Sequence, residues 1–189
     1  MKKLLTGVVL CLPLLVNAAW QADQSNSTIH FLSTKKQHIV EVHSFDRFTA
    51  NVADNGDVSI KIDLTSVNTA IPIRNERMQK FLFETTQFSS ATLTAKVEPS
   101  VLKQLGVGQT IKQTVVAQLS IHGETQAVSV DVSVTGLQNG GALVQSVKPL
   151  LIDARQFGMT AGVDKLKELA GLPSIGYVVP VTFSLNLAQ

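Results

Sequence analysis

The apolar residues of this chain recur at every second position, and that period admits little besides β-sheet. Val58, Ile60, Ile62 and Leu64 alternate with Ser59, Lys61 and Asp63. Val128, Val130, Val132 and Val134 alternate with Ser129, Asp131 and Ser133, and Val179, Val181, Phe183, Leu185 and Leu187 alternate with Pro180, Thr182, Ser184 and Asn186. Strands with one wet and one dry face belong to antiparallel sheet packed on one side. Weaker alternation over residues 28–34, 39–45, 91–97, 110–121 and 142–152 brings the count to about eight strands. Asp54-Asn55-Gly56-Asp57, His122-Gly123-Glu124 and Gln138-Asn139-Gly140-Gly141 supply turns between them.

Two segments break the period. Residues 73–83 read as a helix with Met78, Phe81 and Leu82 on one side and Glu76 and Lys80 four apart. Residues 163–170 place Val163, Leu166 and Leu169 at helical spacing, and Gly171 and Pro173 stop the run. A further helical turn fits within 98–108, where Val101, Leu102 and Leu105 share a face. An eight-stranded antiparallel sheet with few helices escapes exposed edges as a sandwich or a closed barrel. A barrel of this size is filled by its own side chains or holds one elongated apolar ligand. Periodicity does not choose between these.

The first residues follow a different grammar. Met1-Lys2-Lys3 is a basic start, residues 4–16 are apolar, and Val16-Asn17-Ala18 places small residues before a cut, so residues 1–18 read as a secretory signal peptide and 19–189 as one exported domain, beginning at Ala19. The apolar run falls short of the roughly 20 residues of a permanent span, and no second long run occurs, so no stable membrane anchor is expected. Cys11, the single cysteine, lies in the leader, leaving the mature chain no disulfide or thiol chemistry. Leu10 before it and the apolar residues after it do not suit a lipoprotein acylation site. Losing Lys2 and Lys3 leaves equal numbers of basic and acidic residues, which argues against nucleic acid as a partner.

Little in the chain suggests catalysis. The histidines, His30, His38, His43 and His122, have no metal-binding spacing; Glu41 and His43 share one strand face, too few for a zinc site. No nucleophile elbow or phosphate-cradling glycine loop appears, and no cofactor is expected. Arg74, Asn75, Arg77 and Lys80 are more informative. On a helix the three cations form a row that would meet an anionic head group at a barrel mouth, or would be a solvated face, or Arg74 would tie the loop to the sheet. Phe45, Phe48, Phe81, Phe83 and Phe88 cluster in sequence and serve either as core or as a ligand cradle.

With these residues in view, the chain resembles the YceI-like, polyisoprenoid-binding family. Ser66-Val67-Asn68-Thr69 followed by Arg74-Asn75-Glu76-Arg77-Met78 is similar to that family's Ser-Val-x-Thr…Arg-Asp-x-x-Leu signature. Ile29-His30-Phe31 with Phe45 and Phe48 resembles its opening strands, Phe83 its aromatic after the arginine helix, Leu119 to Thr125 its Leu-Thr-x-x-Gly-x-Thr strand end, and Phe157-Gly158-Met159 its late Phe-Gly-Met. Asn75 stands where the family usually has Asp, Arg77 where His is frequent, Glu84 where a second Phe often follows, and Ala154 where Arg commonly stands. The resemblance implies an all-β, eight-stranded, lipocalin-like antiparallel barrel with one or two short helices at the mouth. It also implies a periplasmic carrier of an isoprenoid quinone, polyprenyl phosphate or other long-chain lipid, with Phe31, Phe45, Phe48, Arg74, Asn75, Arg77, Met78, Phe81, Phe83, Phe157 and Met159 around the ligand. The rival is a side-chain-filled barrel whose loops bind a protein partner; a homodimer fits either reading.

Overall fold

The computed structural model describes residues 18–189. The expected leader lies outside them except for Ala18, which opens the first strand. The strands, in chain order, are β1 (Ala18–Ala22), β2 (Thr28–Lys35), β3 (Ile39–Phe45), β4 (Phe48–Ala53), β5 (Asp57–Asp63), β6 (Val67–Asn68), β7 (Ser90–Lys96), β8 (Thr110–Ile121), β9 (Glu124–Gly136), β10 (Ala142–Ser146), β11 (Leu150–Asp153) and β12 (Val178–Ala188). All belong to one sheet. Eight close into a ring, β1-β4-β5-β7-β8-β9-β10-β12 and back to β1 through Gln21 opposite Ala188. Closure removes the edges that an eight-stranded sheet would otherwise expose.

β12 is the shared wall. Its C-terminal half runs between β10 and β1, and its N-terminal half between β11 and β2. There β2 and β3 add a hairpin to the ring, and the two-residue β6 pairs with the end of β3. Trp20, 2% exposed, pins β1 across the closure by donating its indole N–H to the Gly140 carbonyl at 2.9 Å.

The strong alternating segments form strands as expected, and β8 and β9 make a long hairpin around His122 and Gly123. Three details differ. The single strand expected over 142–152 is two, because Pro149 has no N–H to give a ladder and residues 146–149 bulge out between Gln145, opposite Ser184, and Leu150, opposite Val181. β1 and β4 add to the expected set. The helix expected over 73–83 begins at Pro72 as α1 (Pro72–Arg77) and continues as a π-turn over Met78–Leu82, in which Phe83 N donates to Met78 O at 2.9 Å.

Two further helices complete the chain: α2 (Ser100–Lys103) at the far end of the barrel, and α3 (Thr160–Leu169) over the end that α1 covers. α3 lies so close to the π-turn that a Cβ on Gly162 would meet the Phe81 carbonyl oxygen at 2.5 Å and Leu82 Cα at 2.8 Å. Only glycine permits that approach.

Candidate functional site

Among the described residues, two cavities lie end to end in the interior. The cavity at the helix end, ≈160 Å³, is walled by Ile29, Phe31, Phe45, Ile62, Leu119, Ile152, Val179 and Val181, and roofed by Met78, Leu82, Phe83, Met159 and Val163. Among the described residues, Thr92 is the one polar residue lining it. The far cavity, ≈100 Å³, is lined mainly by valines, including Val52, Val58, Val115, Val132, Val134 and Val144, with Asn51 and Gln113 contributing polarity.

Ile60, Leu93, Phe183 and Leu185 border both cavities. Ile60 and Leu93 are paired across β5 and β7, while β12 stands four strands from β7 in either direction round the ring. The four side chains therefore form a waist between opposite walls. The 146–149 bulge lies at the same level, and Phe183 N donates to Ser146 Oγ at 3.2 Å. The dry faces of β5 and β12 thus point into the cavities, which follows from period-two alternation around a closed ring.

A polar corner sits behind Phe31 and Phe45. The inward positions of the β2–β3 hairpin continue as Ser33 and Lys35 on one strand and His43 and Glu41 on the other. Glu41 Oε2 pairs with Lys35 Nζ at 2.8 Å and with Arg74 NH1 at 2.9 Å. The Lys35 hydrogen bond and the Arg74 charge hold Glu41 below the ordinary carboxylate range, against the opposing effect of burial. His43, 5% exposed, shares a 2.8 Å hydrogen bond between Nε2 and Ser33 Oγ and packs its ring on Phe31 at 5.1 Å. Burial, assisted by Arg74, pushes His43 below its ordinary pKa and favours its neutral form. His43 Nδ1 and Arg74 Nε are buried with no hydrogen-bond partner among the described residues.

The expected ligand residues divide on this geometry. Phe31, Phe45, Met78, Phe83 and Met159 line the helix-end cavity. Phe48 and Phe157 are buried in the core outside the cavity walls. A regular helix would put Phe81 beside Met78 and Leu82; the π-turn leaves it outside the cavity lining, under Lys80 Nζ at 5.1 Å from the ring centroid, while Phe83 stays in the lining.

The cations do not form a free row. Arg74 ties α1 to the sheet through Glu41 and also donates to Thr69 O at 2.6 Å; Arg77 donates to Leu169 O at 3.2 Å. Asn75 Oδ1 accepts from Thr69 N and Thr69 Oγ1, at 2.9 and 2.6 Å. The waist and the polar corner were missed by sequence reasoning. Polar Ser33, Glu41 and His43 at the inward parity of Phe31 and Phe45 were the available signal.

The YceI-like domain profile matches residues 20–187. The chain belongs to the YceI-like family. A polyisoprenoid binding domain from Saccharophagus degradans, implicated in plant cell wall breakdown, is 37% identical to this YceI-like domain; the match covers 91% of this chain and 99% of that one, with a TM-score of 0.89. Burkholderia cenocepacia BcnA shares the fold at 20% identity, with coverage of 89% and 99% and a TM-score of 0.69. The Campylobacter jejuni YceI protein does so at 13% identity, with 82% of each chain covered and a TM-score of 0.51. No curated protein matches the chain. Among the described residues no helix is long and apolar enough to cross a membrane, and no cluster of three or more His, Cys, Asp or Glu is placed to hold a metal ion.

Proposed function

We propose that this YceI-like domain is an exported, periplasmic carrier that holds an isoprenoid quinone, a polyprenyl phosphate or a comparable long-chain lipid along the barrel axis. The observation that carries the reading is the pair of apolar cavities meeting at a waist of four side chains. A void of about 150 Å³ holds a benzene-sized guest, so a chain must thread both cavities and displace the waist. Each buried methylene contributes about 0.8 kcal/mol. Ten of them supply about 8 kcal/mol, the free energy of a micromolar Kd before ordering costs. The polar end of the lipid lies toward the His43–Arg74 corner, where two buried polar atoms lack partners. The polyisoprenoid binding of the Saccharophagus domain supports the isoprenoid class, and the signal-like residues 1–18 support export.

A binding role fits the site better than catalysis. The Ser33–His43 pair has no carboxylate on His43 Nδ1 to orient the imidazole, and Glu41 is engaged by Lys35 and Arg74. Mass spectrometry of the protein after mild purification from its own host tests the proposal. One isoprenoid or long-chain lipid per chain is the expected result. Its absence would favour a barrel filled by its own side chains, with the loops serving a protein partner.

A further inference from the structure

One stretch of surface departs from the wet outer face of the barrel. Ala70, Ile71, Pro72 and Ile73 are consecutive and all exposed, with Ile71 at 44% and Ile73 at 52%. Single apolar residues on a surface need no explanation, but a consecutive exposed run is a fault unless it has a use. This run is held in a fixed shape. Ala70 adopts a left-handed backbone with φ 58°, which a residue bearing a Cβ adopts only under restraint. The restraint is polar: Ala70 N donates to Asn68 Oδ1 at 2.9 Å, Asn75 fastens Thr69 from one side, and Arg74 NH2 caps Thr69 O from the other. Pro72 then opens α1.

The tip has apolar and cationic neighbours. The antiparallel register of Ser44 with Asn68 carries the residues after Asn68 along β3, whose Val42 and Val40 are 65% and 53% exposed. Exposed Lys36 lies in the β2–β3 turn, and exposed Lys80 follows on the π-turn. Of the acidic groups nearby, Glu41 is bound by Lys35 and Arg74, Asp46 accepts from Asn68 Nδ2 at 2.9 Å, and Glu76 is exposed. Five residues beyond Ile73, Met78 lines the cavity.

We propose that the Ala70–Ile73 tip docks the domain on a bilayer with anionic head groups. Ile71 and Ile73 enter the acyl boundary, and Lys36 and Lys80 lie among the head groups, so that lipid passes between membrane and cavity beneath α1. This rests on the carrier reading above. A handful of protruding apolar side chains flanked by cations is what an interfacial wedge presents. It is far from the 20–30 residues a side that a stable protein interface uses.

The test is co-sedimentation of the purified protein with vesicles of phosphatidylcholine alone and with added phosphatidylglycerol. Wild type should partition to the anionic vesicles. The double variant Ile71→Ser/Ile73→Ser should lose at least tenfold in partition at unchanged melting temperature and lipid content. Val116→Ser, at a 65% exposed position of β8, should partition like wild type. Docking is overturned by a double variant that partitions like wild type, or by wild type that ignores both vesicles. It is equally overturned if sedimentation equilibrium shows a wild-type dimer that the double variant dissociates while neither form binds vesicles. Protein that never carries lipid yet still binds anionic vesicles through Ile71 and Ile73 would refute the carrier and leave the docking standing. Protein that carries one lipid per chain but ignores vesicles would do the reverse.

Discussion

Replacing Phe183 by alanine removes the aromatic ring that borders both cavities. Large-to-small aromatic changes in packed cores cost about 3–5 kcal/mol. Here the ring already adjoins empty space, so the low end, about 3 kcal/mol, is expected. The two voids, ≈160 and ≈100 Å³, would join into one and gain the space vacated by the ring. The functional consequence is read with delipidated protein and a series of straight-chain alcohols in a displacement titration. In wild type, affinity should rise about fourfold per methylene, which is about 0.8 kcal/mol, until the chain tip meets the waist. It should then flatten over the methylenes whose burial only offsets the cost of displacing the waist side chains. In Phe183→Ala the rise should continue, so that three methylenes beyond the wild-type plateau the variant binds roughly sixtyfold tighter. A thermal melt confirms that the variant is folded at the assay temperature. If both proteins flatten at the same length, Phe183 does not divide the cavity. If wild type never flattens, the chain bypasses the waist altogether.

Two other outcomes follow from the same geometry. Burial lowers the pKa of His43 in the fold, so as pH falls through the ordinary value of about 6.5 the unfolded chain takes up a proton before the folded chain does. Stability should therefore fall as pH drops from 7.5 toward 5.5, by at most about 1.4 kcal/mol per pH unit from this group, and urea midpoints of His43→Gln should fall less steeply. Ile60→Asp would bury an unpaired carboxylate at the waist and should cost several kcal/mol, enough to unfold a marginal domain. Lys61→Asp on the exposed face should shift the urea midpoint within error; equal losses at both positions would contradict the one-sided sheet.

What could be read ahead of the structure follows the strength of the local pattern. β8, β9 and β12 carry long valine- and leucine-rich alternation, and their dry faces are where that alternation places them. β4 escaped notice because Ala50, Val52 and Ala53 form a weak apolar signal despite being buried. The π-turn was invisible because a helical wheel assumes one period throughout, and the consequence falls on Phe81, which lies outside the cavity lining while Phe83 is in it. Arg74 was legible as a cation on a helix, but its partner Glu41 lies far upstream on another element, and nothing local announces that pairing. The waist was equally hidden, since it depends on which strands become opposite only after the ring closes.

The double duty of β12 also sets the order in which the molecule can be assembled. Hairpins such as β2–β3, β4–β5 and β8–β9 join neighbours in sequence and form on a microsecond scale. Both ends of the barrel, however, lack a wall until β12 arrives, and its partners β1 and β2 come from the opposite end of the chain. Pairings of such long range are slow, because the whole intervening loop must be ordered first. During that interval the edges of β1, β2 and β10 stand open, exposing ladders that other chains can pair with. A lipid present at that moment is enclosed by a closing wall and does not have to enter beneath the roof. On the carrier proposal, molecules that close around a guest and molecules that close empty would then differ in cargo from the moment of folding.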